Sequence, residues 1–265
     1  MSQPEGVRGT SVGAGVMRLV ARRLIPRSTR QWLWAKSKAM TCKPPVGLVR
    51  FGGLRRLIPI SRQFGLDRGT PVDRYYIERF LSVHASEIRG HVLEIGDDTY
   101  TRRFGGERVT HGDVLHVEPT SSNATVVGDL TDGKNISSDE FDCVILTQTL
   151  QFIYDVRAAI HTTYRILKPG GVALITIAGI SQISRYDMDR YGHFWNFTSL
   201  SARRLLEEVF SAGHVQVTAH GNVLAAIAFL HGLAAQDLRQ SELDYSDADY
   251  ELVLTIRAVK ASTKG

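Results

Sequence analysis

From residue 92 onward the apolar residues come in short unbroken runs, separated by stretches with helical spacing. VLEIG (92–96), FDCVILTQ (141–148) and VALITIAG (172–179) are too apolar for half-exposed strands and too short for buried helices. Each predicts a strand covered on both faces. ERVTHGDVLHVEP (107–119) and ATVVGDL (124–130) supply two more, and HVQVTAHG (214–221) and YELVLTIRAVK (250–260) close the series. Between them, VRAAIHTTYRIL (156–167) has helical periodicity and KPGG stops it. SLSARRLLEEVF (199–210) predicts a helix with Thr198 or Ser199 as its N-cap, and GNVLAAIAFLHGLAAQDL (221–238) another. Strands alternating with helices in this way predict an α/β fold: a Rossmann-like, mostly parallel sheet with helices on both faces.

The first 81 residues have a different texture. Residues 1–13 are polar and glycine-rich, a composition that predicts disorder. From Ala14 to Leu24, Met17, Val20, Ala21 and Leu24 share one helical face and arginines occupy the rest, so a short basic amphipathic helix is expected, ended by Pro26. RQWLWAKSK (31–38) predicts a second. After the break at KPPVGL, Pro71 suits a first helical turn, and Tyr76, Phe80 and Leu81 give an apolar face to a helix running to about His84. The expected organisation is a basic helical N-terminal extension that covers the site (1–81) and a folded domain (82–262).

Charge sharpens that division. Residues 1–64 hold thirteen Lys/Arg against the single acid Glu5, so the net charge of +5 hides an acidic body. Such an arm suits RNA phosphates, an anionic membrane surface or a protein partner. No run of about 18 apolar residues exists to span a membrane. Cys42 and Cys143 are far apart and lack CxxC spacing, and no apolar leader precedes a cleavage site. Together these predict a reducing, cytoplasmic setting. The histidines show no metal-ligand spacing along the chain, so no metal is expected.

In an open parallel sheet, ligands bind at the carboxyl ends of the strands. The residues in question are Glu94, Gly96 and Asp98 after the first strand and Asp113 after the second. Asp129 and Leu130 follow the third, and Thr147 and Gln148 the fourth. Asp113 lies 19 residues beyond Glu94, close to the interval at which an acid meets ribose hydroxyls. Pyrophosphate needs bare backbone N–H groups, so Asp97 and Asp98 disfavour a dinucleotide. S-adenosylmethionine has no phosphate, carries a sulfonium and an ammonium, and offers hydroxyls to carboxylates.

VLEIG, the acid after strand two, GDL, FDCVILTQTLQFIYD and RILKPGGVALIT, in that order, resemble the class I S-adenosylmethionine-dependent methyltransferases of the type 11 small-molecule branch. The similarity covers about residues 88–260. It implies S-adenosylmethionine as cofactor and S-adenosylhomocysteine as product. It also implies Glu94 and Gly96 at the methionine end, Asp113 at the ribose, Asp129 and Leu130 near the adenine, and Thr147 and Gln148 behind the methyl group. The sequence departs from the family's E-x-G-x-G-x-G turn at Asp98 and Tyr100; Asp98 is expected to keep the turn and Tyr100 to point elsewhere.

Just before the domain, Arg68 and Tyr75 are placed to reach the methionine carboxylate. After the fifth strand, ISRYDMDRYGHFWNFT (183–198) concentrates aromatic and charged side chains over a strand end. That suits a sugar or aminoglycoside-like acceptor held by Tyr186, Tyr191, Trp195 and Gln151. His193 is the expected base, because an imidazole of ordinary pKa near 6.5 accepts protons at neutral pH; Asp189 is its rival. The function expected is methyl transfer to O or N of a small glycosidic or natural-product acceptor. RNA methylation through the arm and a catalytically silent binding fold are the alternatives, and the Ala-rich helix 222–235 offers a surface for a homodimer.

Overall fold

The computed structural model describes residues 26–41, 44–45, 48–50, 52–119 and 122–262. The chain forms two compact units, Met1–Leu57 and Ile58–Gly265. In the first, helix α1 (Arg27–Thr41) extends the expected 31–38 segment at both ends. It exposes Trp32, Leu33 and Trp34, and the Lys36 ammonium sits 4.7 Å over the Trp32 ring. The amphipathic helix expected over 14–24 lies outside the described residues. Among the described residues no helix is long and apolar enough to cross a membrane.

The second unit is built on a seven-stranded sheet. Its strands are β1 (Gly90–Ile95), β2 (Val109–His116), β3 (Val126–Val127), β4 (Phe141–Thr147), β5 (Leu167–Ala178), β6 (Val215–His220) and β7 (Val253–Val259). Their spatial order is β3-β2-β1-β4-β5-β7-β6, parallel throughout except for β7, which runs antiparallel to both neighbours. Side chains alternate across it as a pleated sheet requires. Val144 and Leu146 of β4 join Ala173, Ile175 and Ile177 of β5 under helices α3 (Val156–Ile166) and α5 (Ser199–Phe210). Cys143, Ile145 and Leu174 face the other way, under α2 (Val72–Val83) and α6 (Val223–Leu230). Both faces are covered, which is why these strands carry no polar alternation.

The caps follow from sequence. Asp155 starts α3 by accepting from the Ala158 amide at 3.0 Å, and Thr198 starts α5 with a reciprocal bond to Ser201. Two elements are shorter than their sequence pattern suggests. ATVVGDL contributes only Val126–Val127 to the sheet, where β3 pairs with Leu115–His116. The helix expected over 221–238 stops at Leu230, because Gly232 turns to φ +67° and its backbone packs directly on Ser61, where a Cβ would meet the carbonyl oxygen at 2.2 Å.

Candidate functional site

Strand order reverses between β1 and β4, which run to left and right of the chain's entry into the sheet, and the crevice at such a switch point is the ligand site of doubly wound folds. Two adjoining cavities lie there, of about 860 and 620 Å³, sharing Gln148, Phe152, Tyr186 and Asp187. The larger is bordered by Gly96, Asp97, Leu115, Val117, Asp129, Leu130 and Tyr191. Among the described residues it has three aspartates, Asp97, Asp129 and Asp187, and neither Lys nor Arg in its wall. The smaller is mixed: Arg62, Arg74 and Arg185 line it with Asp73, Thr147, Gln151, Ser184 and His193.

The turn after β1 answers the problem of Asp98 and Tyr100. Gly96 takes φ +88°, and a Cβ there would meet nothing within 4 Å, so the bare backbone opens onto the acidic cavity. Glu94 is buried and closes the turn from below, its two oxygens accepting from the Tyr100 amide at 3.2 Å and the Thr101 amide at 2.7 Å. Burial pushes the Glu94 carboxyl up to about 7 despite those two bonds. Tyr100 is helical in backbone and buried, and its hydroxyl accepts from Arg74 at 2.9 Å. It braces α2 against the turn instead of lining it. Asp98, expected to keep the turn, is instead paired with Arg102 at 2.5 Å, and the left-handed position in the turn belongs to Gly96.

Asp113 is where the strand-end assignment departs from the structure. β2 continues to His116, so Asp113 sits inside the strand, opposite Leu93. Its carboxylate binds the His91 ring at 2.6 Å and the Thr125 hydroxyl at 2.6 Å. Burial works to raise that carboxyl, and these two bonds outweigh it, leaving it below its ordinary value. The acid beyond the end of β2 is Glu118, beside Val117 of the acidic cavity and close enough to Tyr191 to raise that phenol behind the larger effect of burial.

On the third strand's exit, Asp129 and Leu130 border the acidic cavity, and Asp129 holds its own turn through the Thr131 amide at 2.7 Å. At the end of β4, Gln148 adopts φ +50°, a conformation uncommon outside glycine, while its amide stays tied to the Thr176 carbonyl at 2.8 Å. Strain of this kind concentrates at functional positions. Gln151 donates to Gln148 at 2.9 Å, which leaves Gln148 Nε2 and Gln151 Oε1 buried without partners. His193 Nδ1 is in the same condition. Exchanging O and N in both amides still leaves one donor and one acceptor free.

The loop after β5 is laid over β4 by the Phe194 amide, which donates to the Gln151 carbonyl at 2.9 Å. Short helix α4 (Arg185–Met188) turns Asp187 toward both cavities, held by the Ser184 hydroxyl at 2.5 Å. Tyr186, Tyr191 and His193 border the cavities as expected, whereas Asp189 points to solvent beside Arg185 and Trp195, whose indole donates to the Ile153 carbonyl at 3.0 Å, is in neither wall. Arg68 is paired with Asp237 at 3.1 Å, and the Tyr75 hydroxyl with Asp244 at 2.6 Å. Arg74 is the guanidinium that faces the site from α2.

A further cavity of about 320 Å³ lies against α2, β6 and β7. Its charged groups are already matched, Arg79 with Asp244 and Arg257 with Glu87, and it has no buried unpartnered polar atom among the described residues. Three of the buried unpartnered atoms, Gln148 Nε2, Gln151 Oε1 and His193 Nδ1, are at the switch point; the other two, Thr101 Oγ1 and His231 Nδ1, border neither cavity there.

Fold and cavity together define a doubly wound domain whose cofactor crevice suits a cation-bearing, phosphate-free nucleoside. Residues 96–175 match the methyltransferase domain family of type 11. The domain is thus a class I S-adenosylmethionine-dependent methyltransferase domain, and S-adenosylmethionine is its cofactor. No curated protein matches the sequence. Among solved structures, the chain is similar to the N-methyltransferase NodS of Bradyrhizobium japonicum, solved with S-adenosylhomocysteine (16% identity, 86% of this chain and 97% of that one, TM-score 0.45). It is also similar to a SAM-dependent methyltransferase of Archaeoglobus fulgidus (12%, 71% and 94%, 0.47). A third is a SAM-dependent methyltransferase of Thermotoga maritima, a possible histamine N-methyltransferase (18%, 71% and 91%, 0.46).

Proposed function

We propose that the chain methylates an oxygen or nitrogen of a small, polar, sugar- or aminoglycoside-like acceptor that enters the mixed cavity. The observation that carries this reading is the set of three buried polar atoms without partners, Gln148 Nε2, Gln151 Oε1 and His193 Nδ1. Each such atom costs about 1–3 kcal/mol unless something pairs with it. A molecule that both donates and accepts at short spacing, as vicinal hydroxyls and amines do, recovers that cost.

S-adenosylmethionine supplies an electrophilic methyl group on a sulfonium. Gly96 and Asp97 receive its amino-acid end together with Arg74, whose guanidinium suits the carboxylate. Glu118 takes the place first given to Asp113 and accepts from the ribose hydroxyls, and Asp129 and Leu130 border the adenine. Gln148 belongs to both cavities and fixes the acceptor relative to the cofactor, so the chain's main contribution is alignment. Phe152, which borders both cavities, gives the junction an apolar wall. Where the acceptor atom has a proton to lose, the free nitrogen of His193 takes it; Asp187, not Asp189, is the carboxylate at hand.

The test is transfer of labelled methyl groups from S-adenosylmethionine to panels of aminoglycosides, free sugars and small amines, with structured RNA alongside. Label on a small acceptor, lost in Gln151→Ala, supports the reading. Label on RNA alone favours the alternative suggested by the basic, Trp-bearing surface of α1.

A further inference from the structure

At the opposite end of β1 and β2 from the cofactor crevice, three ligand-type side chains converge. The strands pair in parallel with an irregularity between Gly90 and His91: Gly90 lies opposite Val109, but His91 lies opposite His111. That extra residue on β2 puts the two imidazoles on the same face of the sheet, with ring centres 4.6 Å apart. Asp113 follows His111 by two positions and so shares that face. One carboxylate oxygen, Oδ2, lies 2.6 Å from His91 Nε2 and 3.5 Å from His111 Nε2. All three ligand atoms fall within 4.8 Å of one another.

We infer that His91, His111 and Asp113 form a binding site for a divalent transition-metal ion, with Zn²⁺ the best fit and Co²⁺ or Ni²⁺ as substitutes. Two imidazoles and one carboxylate suit these ions; an oxygen-seeking ion such as Mg²⁺ or Ca²⁺ would want a different set. Ligands at the usual zinc distances stand roughly 3.4 Å apart around a tetrahedron. The spacing to His111 already meets that, and the His91–Asp113 contact must open by under an ångström.

The supporting groups are those expected around a metal ligand. Thr125 donates to Asp113 Oδ1 at 2.6 Å and leaves Oδ2 for the ion. The His91 ring rests 4.6 Å from the ring of Phe141, and its backbone amide is tied to Asp142 at 2.8 Å. His111 is 65% exposed, so an ion can enter from solvent. Four residues of extended strand separate His91 from Ile95, about 13 Å, so the ion cannot touch the transferred methyl group. Its role is to clamp β2 to β1, near the edge where β3 pairs with only two residues of β2.

The experiment uses the untagged full chain, freed of metal by a chelator and titrated with Zn²⁺ and, separately, Co²⁺. Expected are one ion per chain with micromolar affinity, a Co²⁺ visible spectrum of tetrahedral type, and a rise in melting temperature of about 5 °C at saturating Zn²⁺. His111→Ala should weaken binding at least tenfold while leaving the melting temperature in chelator unchanged, because that side chain is exposed. Asp113→Asn, which preserves shape, should weaken it comparably. No binding below millimolar Zn²⁺, or binding that His111→Ala leaves intact, overturns the inference.

Discussion

The two cavities at the switch point share a wall yet differ in charge. The larger has three aspartates, one histidine and neither Lys nor Arg among the described residues, and the smaller sets three arginines among aspartates, amides and a histidine. An acidic wall without Lys or Arg rejects phosphate and welcomes a sulfonium and an ammonium; a mixed wall selects for hydrogen-bonding pattern rather than for charge. On the proposed reading the difference separates two jobs, holding a cationic cofactor and orienting a polar acceptor, with Gln148 on the boundary. The glycine-poor turn makes sense in the same terms: only Gly96 needs an open backbone, and Tyr100 serves as a brace beneath it.

Breaking the acidic side at its base should give the largest effect. Burial holds the Glu94 carboxyl at about 7, so the folded protein prefers it protonated. Its contribution to stability is whole below pH 4.5, the value for the unfolded chain, and is lost as pH rises through about 7. The stability difference between wild type and Glu94→Gln should therefore drift by up to ~3 kcal/mol across that window, in favour of the variant at high pH; urea unfolding at a series of pH values measures it. Next, Glu118→Ala should weaken S-adenosylmethionine binding about 30-fold, the loss of a charge-assisted pair of bonds, as read by calorimetry. On the mixed side, Gln151→Ala should lower kcat/KM for the acceptor about tenfold and leave cofactor affinity alone. Smallest of all, Asp113→Asn should change cofactor affinity less than about twofold, because that carboxylate faces its own strand neighbours.

How much of this was legible in sequence depended on whether a signal was local. Apolar runs, the Asp155 and Thr198 caps and the alternation of elements are all local, and they yield the sheet. Gly96, Asp129, Leu130, Thr147 and Gln148 follow from being next to strand ends, and the loop aromatics Tyr186 and Tyr191 from sitting over one. Asp113 was misplaced because β2 runs through HGDVLH with polar residues still inside it; Pro119, which cannot extend a ladder, marks the end and points to Glu118. Arg68 and Tyr75 find their partners 169 residues away, at Asp237 and Asp244, and no spacing rule reaches that far. The meeting of His91 with His111 is hidden for a related reason, since it depends on how two parallel strands slip past each other.

The most direct test of the account is calorimetric titration of the protein with S-adenosylmethionine, S-adenosylhomocysteine and NAD in parallel. Micromolar binding of the first two, with none for NAD, is the result that an acidic, phosphate-averse crevice predicts. Binding of NAD with no response to either sulfur nucleoside would contradict it.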